Sequence, residues 1–213
     1  MHNLPEGLVK EVKRILDGRN KSHGWDHTER VYRLCMRIGK KENADLKILA
    51  LAALLHDIGR ECEKRSGGKV CHAEKSAFLA RKILRKYGID EETIEKVVHC
   101  IESHRFRGKK VPKSKEAKIL FDADKLDSIG AVGIGRAFLF AGEVGAKLHN
   151  KDVDISKTKS YTEEDTAYRE YMVKLRKVKD RMLTPEGKRL AEGRHRFMEE
   201  FFERLHKEVE GVV

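Results

Sequence analysis

The sequence predicts an all-α protein built as a single domain, and three observations carry that expectation. Apolar residues recur at helical spacing along nearly the whole chain, and runs of β-branched alternation are missing. Capping and stop residues bracket the periodic segments. At 213 residues, a single domain of this size buries roughly 70% of the surface its unfolded form exposes, so neither disulfides nor oligomerisation are needed to hold a core.

Each helix has its own signal. Residues 6–17 form a short amphipathic helix with Val9, Val12 and Leu16 on one face. A second begins near Asp26 and carries Val31, Leu34, Cys35 and Ile38 at i, i+3, i+4 and i+7. The third, 45–57, is an apolar run of Ala and Leu that ends in adjacent His56 and Asp57, with Gly59 as its stop. A fourth, 72–87, ends at Gly88, a residue suited to the left-handed position after a helix. Asp90 then caps a fifth, 90–105, whose Glu91 and Glu92 suit the positive end of the dipole. A basic loop, 105–115, leads to a helix at 116–129 and a glycine-punctuated, closely packed helix at 130–145. Residues 146–161 are polar and expected to be mobile. Thr162 and Asp165 resemble a capping box that opens a helix to about 182. Thr184 and Pro185 open the last helix, with Pro at its first position and Phe197, Phe201, Phe202 and Leu205 turned inward.

Composition narrows the function classes. Charged residues make up 38% of the chain and the net charge is +11, a balance that favours anionic partners such as nucleotides, nucleic acids or phosphates. No apolar run reaches the ~18 residues of a membrane span, and the first residues lack a signal-peptide core, so the cytoplasm is expected. The absence of glutamine, the four asparagines and the abundance of Lys, Arg and Glu suggest a thermophile. Cys35, Cys62, Cys71 and Cys100 form no C-x-x-C pair, and reduced thiols are expected in that compartment.

The pair at the end of the third helix offers one imidazole nitrogen and one carboxylate oxygen at the floor of a cavity. His27 lies 29 residues upstream in HGWDHTERV, and Asp124 lies 67 residues beyond Asp57 in ILFDADKLDSIG. Two histidines and two carboxylates make an N/O set suited to Mn, Fe, Co, Ni, Zn or Mg as a divalent ion, with positions left for water and substrate. Periodicity selects among the aspartates: Leu120, Ala123, Asp124 and Asp127 share a face, while Asp122 sits about 200° from Asp124 and is read as a solvent-facing or structural residue. His104 shares the apolar face of Val97 and Ile101, and His99 falls off it. His2, His23, His99, His149, His195 and His206 read as structural or surface residues.

The order His27, His56-Asp57, Asp124, with WDHTERV upstream and LFDADKLDSIGAVGI downstream, resembles the H…HD…D signature of the HD-domain metal-dependent phosphohydrolases. The last third, KLRKVKDRMLTPEGKRLAEGRHRFMEEFF, is similar to a branch of uncharacterised or nucleotide-hydrolysing HD proteins. The resemblance implies one HD domain over 1–213, with a core of about 20–145 and C-terminal helices 162–210 packed on it. It further implies a divalent metal on His27, His56, Asp57 and Asp124, and hydrolysis of phosphate esters or anhydrides by a metal-activated water. Stringent-response hydrolases and bacterial deoxynucleotidases place a Glu three residues after the HD aspartate, where this chain has Arg60. Arg60 is therefore expected to contact phosphate, as a lysine does there in HD-GYP enzymes, and Glu61 follows as a candidate catalytic acid. His104 and Asp127 join as catalytic candidates, and His72, His104 and Lys125 as substrate-binding ones. The expected partner is a nucleotide. The alternatives are a phosphodiesterase acting on RNA or cyclic nucleotides, favoured by the basic charge, and a non-catalytic nucleotide-binding module.

Overall fold

The computed structural model describes residues 4–17, 24–105 and 110–213. Ten α-helices occur among them: α1 (Glu6–Leu16), α2 (Trp25–Lys41), α3 (Leu46–Leu55), α4 (Arg60–Arg65), α5 (His72–Lys86), α6 (Glu91–Ser103), α7 (Lys115–Leu126), α8 (Gly130–Glu143), α9 (Ala167–Val173) and α10 (Pro185–Val209). Short 3₁₀ turns fall at Ile155–Lys157, Leu175–Lys177 and Lys179–Arg181. The described residues contain no strand, and no helix among them is long and apolar enough to cross a membrane. The fold class is all-α. The chain divides into two compact units, 1–124 and 125–213, with the division inside α7.

In the first unit α3 is the central element. Every residue from Ile48 to Leu55 is buried, the pattern of a helix enclosed on all sides. Asp45 starts it by accepting hydrogen bonds from the backbone N–H of Lys47 and Ile48 at 2.8 and 3.1 Å. Helices α1, α2, α5 and α6 pack around it. On α2 the face of Val31, Leu34, Cys35 and Ile38 is buried as the spacing predicts. On α1 the buried stripe is Leu8, Val12 and Leu16; Leu8, one turn before Val12, takes the place expected of Val9. Asp90 caps α6 through the Thr93 N–H at 2.8 Å, and Gly88 ends α5 in the left-handed region with φ +69°, both as predicted.

Helix α4 was not predicted. The third helix stops at Leu55, ahead of the expected 57, and His56–Gly59 form a turn from which α4 departs. RECEKR buries none of its residues, so it carries no apolar period to read. Arg60 accordingly begins a new helix rather than ending the old one.

In the second unit α8 packs on α9 and α10. The buried stripe of α10 runs through Ala191, His195, Met198 and Phe202. Phe197, expected inside, is 45% exposed because it precedes Met198 by about 100° of helix rotation. Thr184 caps α10 by accepting from the Gly187 N–H at 3.0 Å, with Pro185 at the first position. The other cap shifts by one turn: Thr166, not Thr162, accepts from the Arg169 N–H at 3.0 Å and starts α9. Asp165 is taken up by Arg169 Nη1 at 2.7 Å and by the Tyr161 N–H at 2.8 Å. The helix expected to run to 182 ends at Val173, and two 3₁₀ turns follow. The polar stretch before α9 is tied by Thr166 Oγ1, which donates to Asn150 Oδ1 at 2.6 Å, and by Arg169 Nε, which donates to Thr158 Oγ1 at 2.6 Å.

Candidate metal centre

The four residues expected to hold a cation all belong to the first unit. His27 stands in the first turn of α2, His56 and Asp57 in the turn after α3, and Asp124 near the end of α7. His27 Nε2 lies 3.4 Å from Asp124 Oδ1 and 3.7 Å from Asp57 Oδ2. It also lies 3.3 Å from His56 Nε2. His27, His56 and Asp57 are no more than 1% exposed, whereas the Asp124 side chain is 11% exposed. His27, His56 and Asp124 offer ligand atoms within 4.8 Å of one another, a group that could hold a metal ion, and Asp57, His72 and His104 form a second such group. Asp124 enters the first group, while Asp122 is fully buried outside it.

The backbone decides which nitrogen each imidazole presents. His56 Nδ1 donates to the Ala53 carbonyl at 2.8 Å, and His104 Nδ1 donates to the Ile101 carbonyl at 2.6 Å. Both carbonyls sit three residues upstream, at the C-terminal ends of α3 and α6, where helix carbonyls lack intrahelical partners. His72 Nδ1 donates to Glu63 Oε2 at 2.8 Å. In the neutral form each of these rings then turns an Nε2 lone pair to the centre, where His72 and His104 Nε2 lie 3.8 and 3.6 Å from Asp57 Oδ1. Ring centroids of His56 and His104, and of His104 and His72, are 5.3 Å apart. Burial is the main reason that His56 and His72 are each held neutral, with the pKa lowered to about 4; nearby histidines and, for His72, the Arg60 cation add to it. Inward lone pairs on neutral rings, beside carboxylates, are the donor chemistry a transition-metal ion takes up. The residues fit such an ion.

Arg60 lies against this group. Its Nε and Nη2 donate to Asp57 Oδ2 at 3.2 and 3.0 Å, and Nη1 lies 3.6 Å from Glu63 Oε2. Burial opposes its charge, but the carboxylates of Asp57, Asp124 and Glu63 prevail and raise its pKa. A cleft of about 370 Å³ adjoins it, lined in part by Leu16, Ile58, Arg60, Glu61, Lys64 and Gly67. Glu61 reaches that cleft while accepting from Arg65 Nε at 2.9 Å.

Two candidates belong to the second unit. Asp127 is buried and accepts from Arg136 Nη1 at 2.8 Å, and Lys125 opens that unit. His99 accepts from the Lys113 N–H at 3.1 Å, in keeping with a structural role. All four cysteines are free thiols. Residues 106–109 of the basic loop, and His2 and His23, lie outside the described residues. Glu63 was not singled out in the sequence, and Arg105 stood only as the first residue of the basic loop. Glu63 showed only as one acid among many, and its spacing to His72 becomes meaningful once α4 and α5 are seen to pack.

A family model described as HD domain matches residues 24–129. The chain is 38% identical over 205 residues, 94% of its length and 91% of the relative's, to the uncharacterized protein YpgQ of Bacillus subtilis. The chain belongs to the HD domain family. Among solved structures, this HD chain is similar to Bacillus subtilis YpgQ in complex with ADP, with TM-score 0.72 and 35% identity over 95% of this chain and 93% of the other. It is also similar to an HD-superfamily hydrolase of Bacillus thuringiensis, with TM-score 0.75 and 29% identity over 96% of each chain.

Proposed function

We propose that this HD protein is a metal-dependent hydrolase of nucleotide phosphate anhydrides or esters. The observation that carries this reading is the convergence of His27, His56, Asp57 and Asp124 on one buried point beside the Arg60 cleft. The ADP complex of the YpgQ relative supports a nucleotide as the ligand class. A divalent cation held by these four residues supplies Lewis acidity to phosphoryl oxygens and acidifies water.

The chain's own groups do the rest. Backbone carbonyls keep the imidazoles of His56 and His104 in one tautomer, so no reorganisation is needed when substrate arrives. Arg60 orients Asp57 and presents Nη1 to an incoming phosphate, with the planar donor geometry that suits phosphate oxygens. Leu16 and Ile58 give the cleft an apolar wall for the nucleoside, and Lys64 adds positive charge. Glu61 borders the same space and is placed to exchange a proton with water or with a leaving group. His72 and His104, which group with Asp57, complete the proposed set within the first unit. The lone pairs of His72 and His104 make them acceptors, so either ring contacts a phosphate oxygen only through a proton or a cation.

The test is to incubate metal-loaded protein with nucleoside mono-, di- and triphosphates and with short RNA. Orthophosphate or pyrophosphate release from nucleotides is expected. The net charge of +11 favours RNA phosphodiester cleavage as the second reading, and cut RNA beside inert nucleotides selects it.

A further inference from the structure

Three donors meet on one carboxylate that the metal centre itself does not require. Glu63 Oε2 accepts from His72 Nδ1 at 2.8 Å and lies 3.6 Å from Arg60 Nη1. Its other oxygen, Oε1, lies 3.2 Å from Arg105 Nη2. Glu63 is on α4 and His72 opens α5, while Arg105 follows the end of α6, so one side chain joins three elements. Arg105 also donates through Nη1 to Cys71 Sγ at 3.3 Å, which holds the second guanidinium in place. The side chains of Glu63, Arg60 and Arg105 are 18%, 26% and 36% exposed, so each is partly accessible to solvent.

We propose that Glu63 is a positioning residue: it fixes His72 with Nε2 turned to the Asp57 centre, and it holds Arg60 and Arg105 as a paired cation for the second phosphate of a nucleoside di- or triphosphate. The first half follows from acceptor geometry. An imidazole whose Nδ1–H is bound to a carboxylate carries its lone pair on Nε2, and carboxylate partners of this kind also fix the ring's orientation. The second half follows from charge. Two guanidiniums brought to one place repel unless an anion lies between them, and Glu63 supplies that anion and keeps both forks in place while their remaining N–H groups meet the phosphate oxygens. Two cationic forks match two phosphate groups better than one, so the pair selects against a nucleoside monophosphate. This second half rests on the nucleotide reading above, whereas the first does not.

The full-length chain with Glu63→Ala and Glu63→Gln separates the two halves. Nitrogen-15 NMR of the imidazoles reads the tautomer without any activity. In the wild type His72 is expected as the Nδ1–H form, and in Glu63→Ala the Nε2–H form should grow in. Glu63→Gln keeps a carbonyl oxygen for His72, so its tautomer should hold. The same variant loses the anion between the arginines, so its dissociation constant for ADP should rise about tenfold or more while that for AMP moves little. Glu63→Asp should restore most of the ADP affinity. An unchanged His72 tautomer in Glu63→Ala overturns the first half. Equal ADP affinity in wild type and Glu63→Gln, with the chain folded by circular dichroism, overturns the second. If the wild type binds neither ADP nor ATP, the nucleotide reading and the arginine half fall together, and the His72 spectrum still decides the rest.

Discussion

His56 is a basic group made to stay uncharged. It is fully buried with its Nδ1–H bound to the Ala53 carbonyl, and burial, with His104 and His27 beside it, holds its pKa near 4 against an ordinary 6.5. The consequence for the metal-free protein has a definite sign. Between pH 6.5 and 4 the unfolded chain binds a proton at this position that the native chain refuses, so native stability falls as pH falls through that window. For His56 alone the loss on going from pH 7 to 5 is about 2 kcal/mol. Urea unfolding of chelator-treated protein at the two pH values reads it. A midpoint that holds or rises at pH 5 contradicts a neutral buried His56. His56 could be singled out in the sequence because it and Asp57 end an apolar helix and stand in order between His27 in WDHTERV and Asp124 in LFDADKLDSIGAVGI. The role of Glu63 was not legible, because a charged residue on a short exposed helix looks the same in sequence whether or not it meets a histidine.

At the scale of elements, the centre depends on how closely the turn after α3 approaches α5. Gly59 sits there with its N–H donating to Ser76 Oγ at 2.8 Å. A Cβ at this position would meet the Ser76 nitrogen at 2.6 Å, the His72 carbonyl oxygen at 2.8 Å and the Lys75 carbonyl carbon at 2.9 Å. All three are backbone atoms, so the helix itself must move. Gly59→Ala should therefore cost about 1–3 kcal/mol, lowering the melting temperature by roughly 2–4 °C for each kcal/mol in a chain of this size. It should also carry His72 away from Asp57. Differential scanning calorimetry checks the first effect, and an unchanged melting temperature contradicts the close approach. Helices with an apolar stripe were legible: α2, α3, α5 and α6 lie within a residue or two of where periodicity places them. Elements set by side-chain competition were not. Thr162 and Thr166 are both good caps, and the choice falls to Thr166 because Asp165 is committed to Arg169 and the Tyr161 backbone. The segment after Val173 kept apolar residues at Leu175, Val178 and Met182, all buried; spacings of 3 and 4 suit an α-helix and 3₁₀ turns alike.

Across the whole molecule, four potential ligands drawn from α2, the turn after α3 and α7 meet within one compact unit. Their order along the chain accords with membership of the HD family; His27, His56 and Asp124 form one group that could hold a metal ion, and Asp57 joins His72 and His104 in a second. The net charge of +11 draws anions toward such a centre but does not say which anion reacts. Phosphate hydrolysis at the centre would identify that anion. Phosphorus-31 NMR, taken after a chelating resin has removed the metal, of a nucleoside triphosphate incubated with manganese-loaded wild type and with Asp57→Ala tests it most directly. A growing pyrophosphate or orthophosphate resonance is expected with the wild type, and a rate lower by two orders of magnitude or more with Asp57→Ala, which removes both a proposed ligand and the carboxylate that pairs with Arg60. Equal phosphate release from the two proteins would contradict it.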